Sequence, residues 1–434
     1  MARACPHDQS LKAFHAPSTL ARVVSDLRAL TDPRPDERRI LIWMCVFIAV
    51  NQLGFGALIP VLPLYAQAFG VPASAIGSTI AIYGLARLFV ALPGGRVCDR
   101  YGRRPAMALG GALSCLGNLW CALAHSFPEF LMARFIAGAG AGLVLTVGSV
   151  VLADISVPER RGRMMATYQG VFLFAVGIGP FPGGLLAERF GLAAPFGVYA
   201  LAAAIAAAVA WFAVPETRHF STDGRAPPTA LRLPFRAQMR LLAANTGFLL
   251  VSLLGLANAI VRTGGLFNVV PVIGAVKLGL GAGQIGSGFA LGSVLGLLAS
   301  YPAGALADRY GRKPIIVPSA LLTGVSLLAF CVAPSYGWFV AACVVWGVAS
   351  AVNGAAPAAY AADNAPPGMN ASAMGSYRML ADIGYVVGPI GFGLMVDLAS
   401  PETSLFVGAA LIMGVGLLFA RHAPESLRRD ATRR

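Results

Sequence analysis

Apolar stretches of about twenty residues follow one another along almost the whole chain, and about 20 apolar residues are what an α-helix needs to cross a bilayer. They predict helices over roughly 40–68, 74–97, 105–125, 128–152, 163–188, 194–214, 241–270, 281–305, 314–333, 336–361, 372–396 and 402–421. Only 12% of the 434 residues are charged and 57% are hydrophobic, where a soluble chain carries about 25% charged residues. That is too little charge to cover a wetted surface. The outside of the fold must therefore face lipid, and the fold class is an all-α membrane protein of twelve transmembrane helices.

Loop charge sets the expected orientation. On one side lie Arg38 and Arg39, then Arg100, Arg103 and Arg104, then Arg160, Arg161 and Arg163. The same side holds the arginines of 218–240, Arg309, Arg312 and Lys313, and the basic C-terminus. The other side offers little beyond Arg189 and Lys277. The basic side is expected to be cytoplasmic, with both termini inside. The implied location is a bacterial inner membrane, crossed many times. The net charge of +14 then belongs against anionic lipid headgroups, and no nucleic-acid partner is expected. The polar segment 1–39 reads as a cytoplasmic tail, either loosely ordered or with a surface helix over Leu20–Leu30. The expected layout is a bundle over 40–214, a cytoplasmic linker over 215–240, a second bundle over 241–421 and a tail over 422–434.

The chain repeats itself at a fixed offset of 209 residues. Ile76-Gly77-Ser78 recurs as Ile285-Gly286-Ser287, and Asp99-Arg100-Tyr101-Gly102-Arg103 as Asp308-Arg309-Tyr310-Gly311-Arg312. Asp154 maps to Asp363, Gly179-Pro180 to Gly388-Pro389, and Pro215-Glu216 to Pro424-Glu425. Six spans per copy give both copies one orientation. The two bundles should be related by an axis along the membrane normal, with a pathway between them.

The loop after the second helix, Gly95 to Pro105, and its copy from Gly304 to Pro314 are the strongest motif. Gly95 permits close helix approach, Gly102 a tight turn, and Pro105 a helix start. Asp99 places an anion at the membrane edge, where a helix N-terminus or an arginine can meet it. In the fifth helix, Ala175, Gly179 and Gly183 form a stripe of small residues, with Pro180 releasing a backbone hydrogen bond and Gly184 following. The fourth helix carries Arg134 ahead of Gly138, Gly140 and Gly142.

With these motifs the sequence resembles the major facilitator superfamily over roughly residues 40–425, and its fifth helix resembles that of the drug:proton antiporter branch. The resemblance implies two bundles rocking about a central site. It implies a charge latch on the cytoplasmic side built from Asp99, Arg100 and Arg103, repeated in Asp308, Arg309 and Arg312, with the flanking Gly95, Gly102, Gly304 and Gly311. It also implies an antiporter role for Gly179, Pro180, Gly183 and Gly184, and links Arg134 to proton coupling. The alternatives are a plain packing helix and an arginine that snorkels to the interface.

Charges inside spans are expensive and tend to be functional. Arg87 lies within the second helix and Arg262 within the seventh; Arg378 and Asp382 stand four apart in the eleventh, where they can pair. Asp382 is the expected proton carrier, or else the structural partner of Arg378. The first helix carries only Asn51 and Gln52 as polar candidates for the cavity, and the arginines suit anionic or neutral amphipathic substrates. No clustered cysteines or histidines suggest a metal, no phosphate loop suggests ATP drive, and no nucleophile elbow suggests an enzyme. No cofactor is expected. The expected function is secondary active export of small organic molecules in exchange for protons, by a monomer. The competing expectation is an uptake symporter or facilitator for a small metabolite.

Overall fold

The computed structural model describes residues 35–155, 158–217, 235–365 and 370–425; certain side chains within them, including Asp99, Asp308 and Asn353, lie outside that description. Twelve helices among the described residues are long and apolar enough to span a membrane. They are α1 (Glu37–Leu58), α2 (Ala73–Val90), α3 (Arg103–Leu123), α4 (Phe127–Leu152), α5 (Thr167–Phe190) and α6 (Ala194–Phe212) in the first half. The second half holds α7 (Thr246–Leu278), α8 (Ala282–Ser300), α9 (Lys313–Cys331), α10 (Tyr336–Asp363), α11 (Ala373–Leu398) and α12 (Pro401–His422). The helices carrying α2 and α8 continue to Tyr101 and Tyr310. Phe89, Leu116, Leu123, Leu201 and Leu298 are each exposed, as side chains that contact hydrocarbon should be.

Prolines and caps set most boundaries. Pro60 and Pro63 interrupt the first helix, which stops at Leu58 and resumes as Leu62–Gln67. The seventh span starts later than its hydropathy suggests. Asn245 accepts a hydrogen bond from the Phe248 amide (3.0 Å) and so caps a new helix, leaving Phe235–Ala244 as a separate short helix. Part of the expected linker is thus helical, while 218–234 and the segment Leu20–Leu30 fall outside the described residues. The first helix already begins at Pro35, inside the expected tail. Within α7 the residues Val261–Val269 form a π-helix, a wide turn that recurs at functional positions.

Packing repeats between halves. In the first, α2 packs on α4, α3 on α4 and α6, and α1 on α5; in the second, α8 packs on α10, α9 on α10 and α12, and α7 on α11. The halves meet along two seams, α2 against α11 and α5 against α8. This is the arrangement two like-oriented six-helix repeats demand.

Candidate functional site

Four helices bring three arginines together between the halves. Arg134 of α4 is 1% exposed. Its guanidinium lies 4.3 Å from the centre of the Tyr83 ring, and its Nε donates to the Thr79 carbonyl at 3.4 Å. Its Nη1 is buried with no hydrogen-bond partner. That removes the snorkelling alternative: Arg134 points into the protein. Arg262, on the wide turn of α7, donates to the Tyr385 hydroxyl at 3.0 Å and lies over the Tyr385 and Phe267 rings at 5.5 and 5.7 Å. Arg87 lies 5.4 Å from the same Tyr385 ring.

Asp382 pairs with Arg87 across the two halves, at 3.8 Å. The sequence offered Arg378, one turn earlier, as its partner. The interhalf contact wins because α2 and α11 lie side by side there, while Arg378 is on an exposed part of α11. The Asp382 side chain is 42% exposed and that of Arg87 25%, so the pair is only partly buried.

A cavity opens beside this cluster. Phe55, Leu58, Ile59, Leu62, Ile80 and Phe267 line it together with Tyr83, Tyr385 and Arg134, and the surface they offer is almost wholly apolar. Phe55 stacks on Tyr83 with centroids 5.6 Å apart. Asn51 and Gln52 are buried, but neither is among the residues lining this cavity.

On the arginine-poor side of the cavity both seams are closed by backbone contact. A Cβ on Gly77 would overlap the Pro389 carbonyl, and one on Gly286 the Pro180 carbonyl. Likewise Gly393 presses on the Ala73 carbonyl and Gly184 on that of Ala282. Each contact in one seam is the image of one in the other at the 209-residue offset. Two carboxylates complete the closure. Asp397, at the end of α11, accepts from the Ala73 and Ser74 amides at 2.7 and 2.8 Å, the first turn of α2. Glu188, at the end of α5, accepts from the Gly283 amide at 2.8 Å, the first turn of α8. Both anions sit at positive helix ends, and 188 and 397 are again 209 apart.

The expected antiporter motif therefore has two contact faces. Gly179 and Gly183 pack on the α1 backbone around Leu53 and Ala57, while Pro180 and Gly184 form half of a seam against α8.

On the basic side, Arg103 forms a buried pair with Asp154, Nε to Oδ2 at 2.8 Å, both side chains 8% exposed. Thr217 donates to the same carboxylate at 3.3 Å. Glu216 accepts from the Arg103 and Arg104 amides at 3.0 and 3.2 Å, capping α3. Gly102 holds φ +100° here, and a side chain on it would press on the Glu216 carboxylate. In the second half Glu425 caps Arg312 and Lys313 at 3.0 and 3.1 Å, Arg312 pairs with Asp363 at 3.6 Å, and Gly311 holds φ +109°. Arg103 and Arg312 thus tie helices within their own halves. Arg100 and Arg309 instead lie over the neighbouring Tyr101 and Tyr310 rings. The capping glutamates had no assigned role in the sequence, although Pro215-Glu216 and Pro424-Glu425 recur in register there. The side chains of Asp99 and Asp308, and the surroundings of Gly95 and Gly304, lie outside the description.

Comparison with known proteins is consistent along the chain. The profile of the Major Facilitator Superfamily matches residues 44–296 and 253–434. An uncharacterised MFS-type transporter of Methanocaldococcus jannaschii is 23% identical over 87% of this chain and 96% of its own length. Multidrug resistance protein 2 of Bacillus subtilis is 24% identical over 88% of this chain and 95% of its own. Among solved structures, a D-xylose-proton symporter superposes with a TM-score of 0.72 at 16% identity, over 89% of this chain and 98% of that one.

Proposed function

The chain belongs to the major facilitator superfamily and is a multi-pass membrane transporter, not an enzyme, and from that premise we propose that it exports small organic molecules in exchange for protons. The observation that carries this reading is the Arg87–Asp382 pair. It joins the two halves, stands beside the central cavity, and contains the one carboxylate placed deep in a span among the described residues. A proton on Asp382 discharges the pair and loosens the seam; its loss restores the attraction. Similarity to a protein named for multidrug resistance supports the outward direction.

The basic face is then cytoplasmic, in a bacterial inner membrane, and the sealed face is external. In this reading the structure is the state closed to the outside. Opening that side requires both seams and both carboxylate contacts to part. Asp99, Asp308 and the arginines beside them then hold the cytoplasmic side shut, while Pro180 and Gly184 keep the two bundles close enough to seal and Gly179 and Gly183 hold α5 against α1. The protein works as a monomer, with substrate and protons as its partners and lipid as its solvent.

The test is transport in proteoliposomes loaded with a labelled aromatic substrate, with and without an imposed pH gradient. Efflux against a gradient that stops when a protonophore is added supports the proposal. Accumulation driven by protons moving in the same direction as substrate would establish uptake symport instead.

A further inference from the structure

We propose that the transported substrate is an organic anion, an aromatic or otherwise apolar body bearing one negatively charged group, held by Arg134 and Arg262. This rests on the reading of the protein as a transporter whose central cavity takes the substrate.

Arg87, Arg134 and Arg262 converge on Tyr83 and Tyr385 from α2, α4 and α7. One carboxylate, Asp382, faces them, and it is engaged with Arg87. The other described acids stand at or just beyond helix ends: Glu129, Glu188, Asp397 and Glu402 on the sealed side, Glu37, Asp154, Glu216, Asp363 and Glu425 on the basic side. The centre of the protein is therefore left with two arginines that no described carboxylate meets.

Arginine cannot escape this by losing its proton, since the guanidinium stays charged under any physiological condition. The tyrosine faces attract it, but more weakly than burying an unpaired ion costs. The hydrogen-bond census points the same way: Arg134 Nη1 and Arg262 Nε are buried and have no acceptor. Arg134 lines the cavity itself, and Arg262 reaches its edge through Tyr385 and Phe267. A carboxylate, sulfonate or phosphate monoester supplies what those donors lack, as a charge-assisted acceptor. The remaining wall of Phe55, Leu58, Ile80 and Phe267 suits an apolar or aromatic body. A cationic substrate would face the charge of these arginines with no carboxylate among the lining residues to receive it.

The experiment is equilibrium binding to the full chain in lipid nanodiscs, using three probes of one shape: naphthoate, naphthamide and naphthylmethylammonium. Naphthoate is expected to bind about tenfold or more tighter than the other two, the scale of a charge-assisted pair. Arg134→Gln and Arg262→Gln should each weaken naphthoate far more than naphthamide and so remove most of that preference, and Arg134→Lys should keep part of it. Melting temperature and monodispersity identify any variant that fails to fold; the charge preference of the unmutated protein decides the matter even then. Equal binding of all three probes, tighter binding of the ammonium, or no binding of naphthoate would each overturn the proposal. Flux of the same probes in proteoliposomes separates it from the underlying reading. Charge-selective binding without flux would sink the transport reading alone, and flux without charge selection would sink the anion class alone.

Discussion

Arg103 and Arg312 occupy equivalent places in the two repeats, yet their surroundings assign them different energies. The Arg103–Asp154 pair is 8% exposed on both sides, whereas Asp363, opposite Arg312, is 38% exposed. Removing one partner of a buried pair costs about 3–5 kcal/mol, because the other charge is stranded. A pair open to water contributes about 0–1 kcal/mol. Arg103→Ala should therefore lower the melting temperature in detergent far more than Arg312→Ala; equal losses would show that burial does not set the difference. Asp382→Asn tests a different property. It should remove the response of transport to a pH gradient while leaving substrate exchange without a gradient in place, and an unchanged gradient response would exclude Asp382 as the proton carrier. The residue types at these positions are legible in the sequence, but their partners are not. Helical spacing offers Asp382 a neighbour four residues away, at Arg378. Its actual neighbour lies almost three hundred positions away, and that depends on how α2 and α11 pack.

Among the elements, the spans themselves were the most legible feature. A helix in lipid must satisfy its own backbone and present apolar side chains outward, so hydropathy alone locates all twelve. Departures occur where a local signal competes with hydropathy, as at the Asn245 cap and the break around Pro60. The seams were only partly legible. Gly77 and Gly286 stand out as a repeated pair, but their sequence does not say that each meets the proline carbonyl of the other half. That geometry makes a prediction about elements rather than residues. Leu in place of Gly77 should prop α2 away from α11, and Leu in place of Gly286 should prop α8 away from α5. Each change should arrest transport to a similar degree while leaving the protein folded and inserted, as judged by transport assay and size-exclusion profile. Normal transport in either variant would mean that the seam opens and closes by some contact other than this one.

At the scale of the molecule, duplication implies that closure is carried by two equivalent devices. Glu188 and Asp397 each neutralise the positive end of a helix from the opposite half. A carboxylate at such a position contributes about 0.3–1 kcal/mol, and up to ~2 kcal/mol when partly buried. The two sites lie on separate seams and share no partner among the described contacts, so their contributions should add. Neutralising both in a Glu188→Gln, Asp397→Asn double variant should then shift the balance toward the outward-open state by about three- to thirtyfold, since the two sum to about 0.6–2 kcal/mol and 1.4 kcal/mol is a factor of ten. The readout is a cysteine placed at Phe267, which lines the central cavity, in a chain whose own seven cysteines have been replaced. An impermeant thiol reagent added from outside should label it slowly while the two carboxylates are present. It should label it faster when one is neutralised, and fastest when both are. Labelling that is already fast with both carboxylates intact would mean that the sealed face is not the external one. Labelling that responds to only one of the two would mean that the halves close by different physics, despite the register their sequences share.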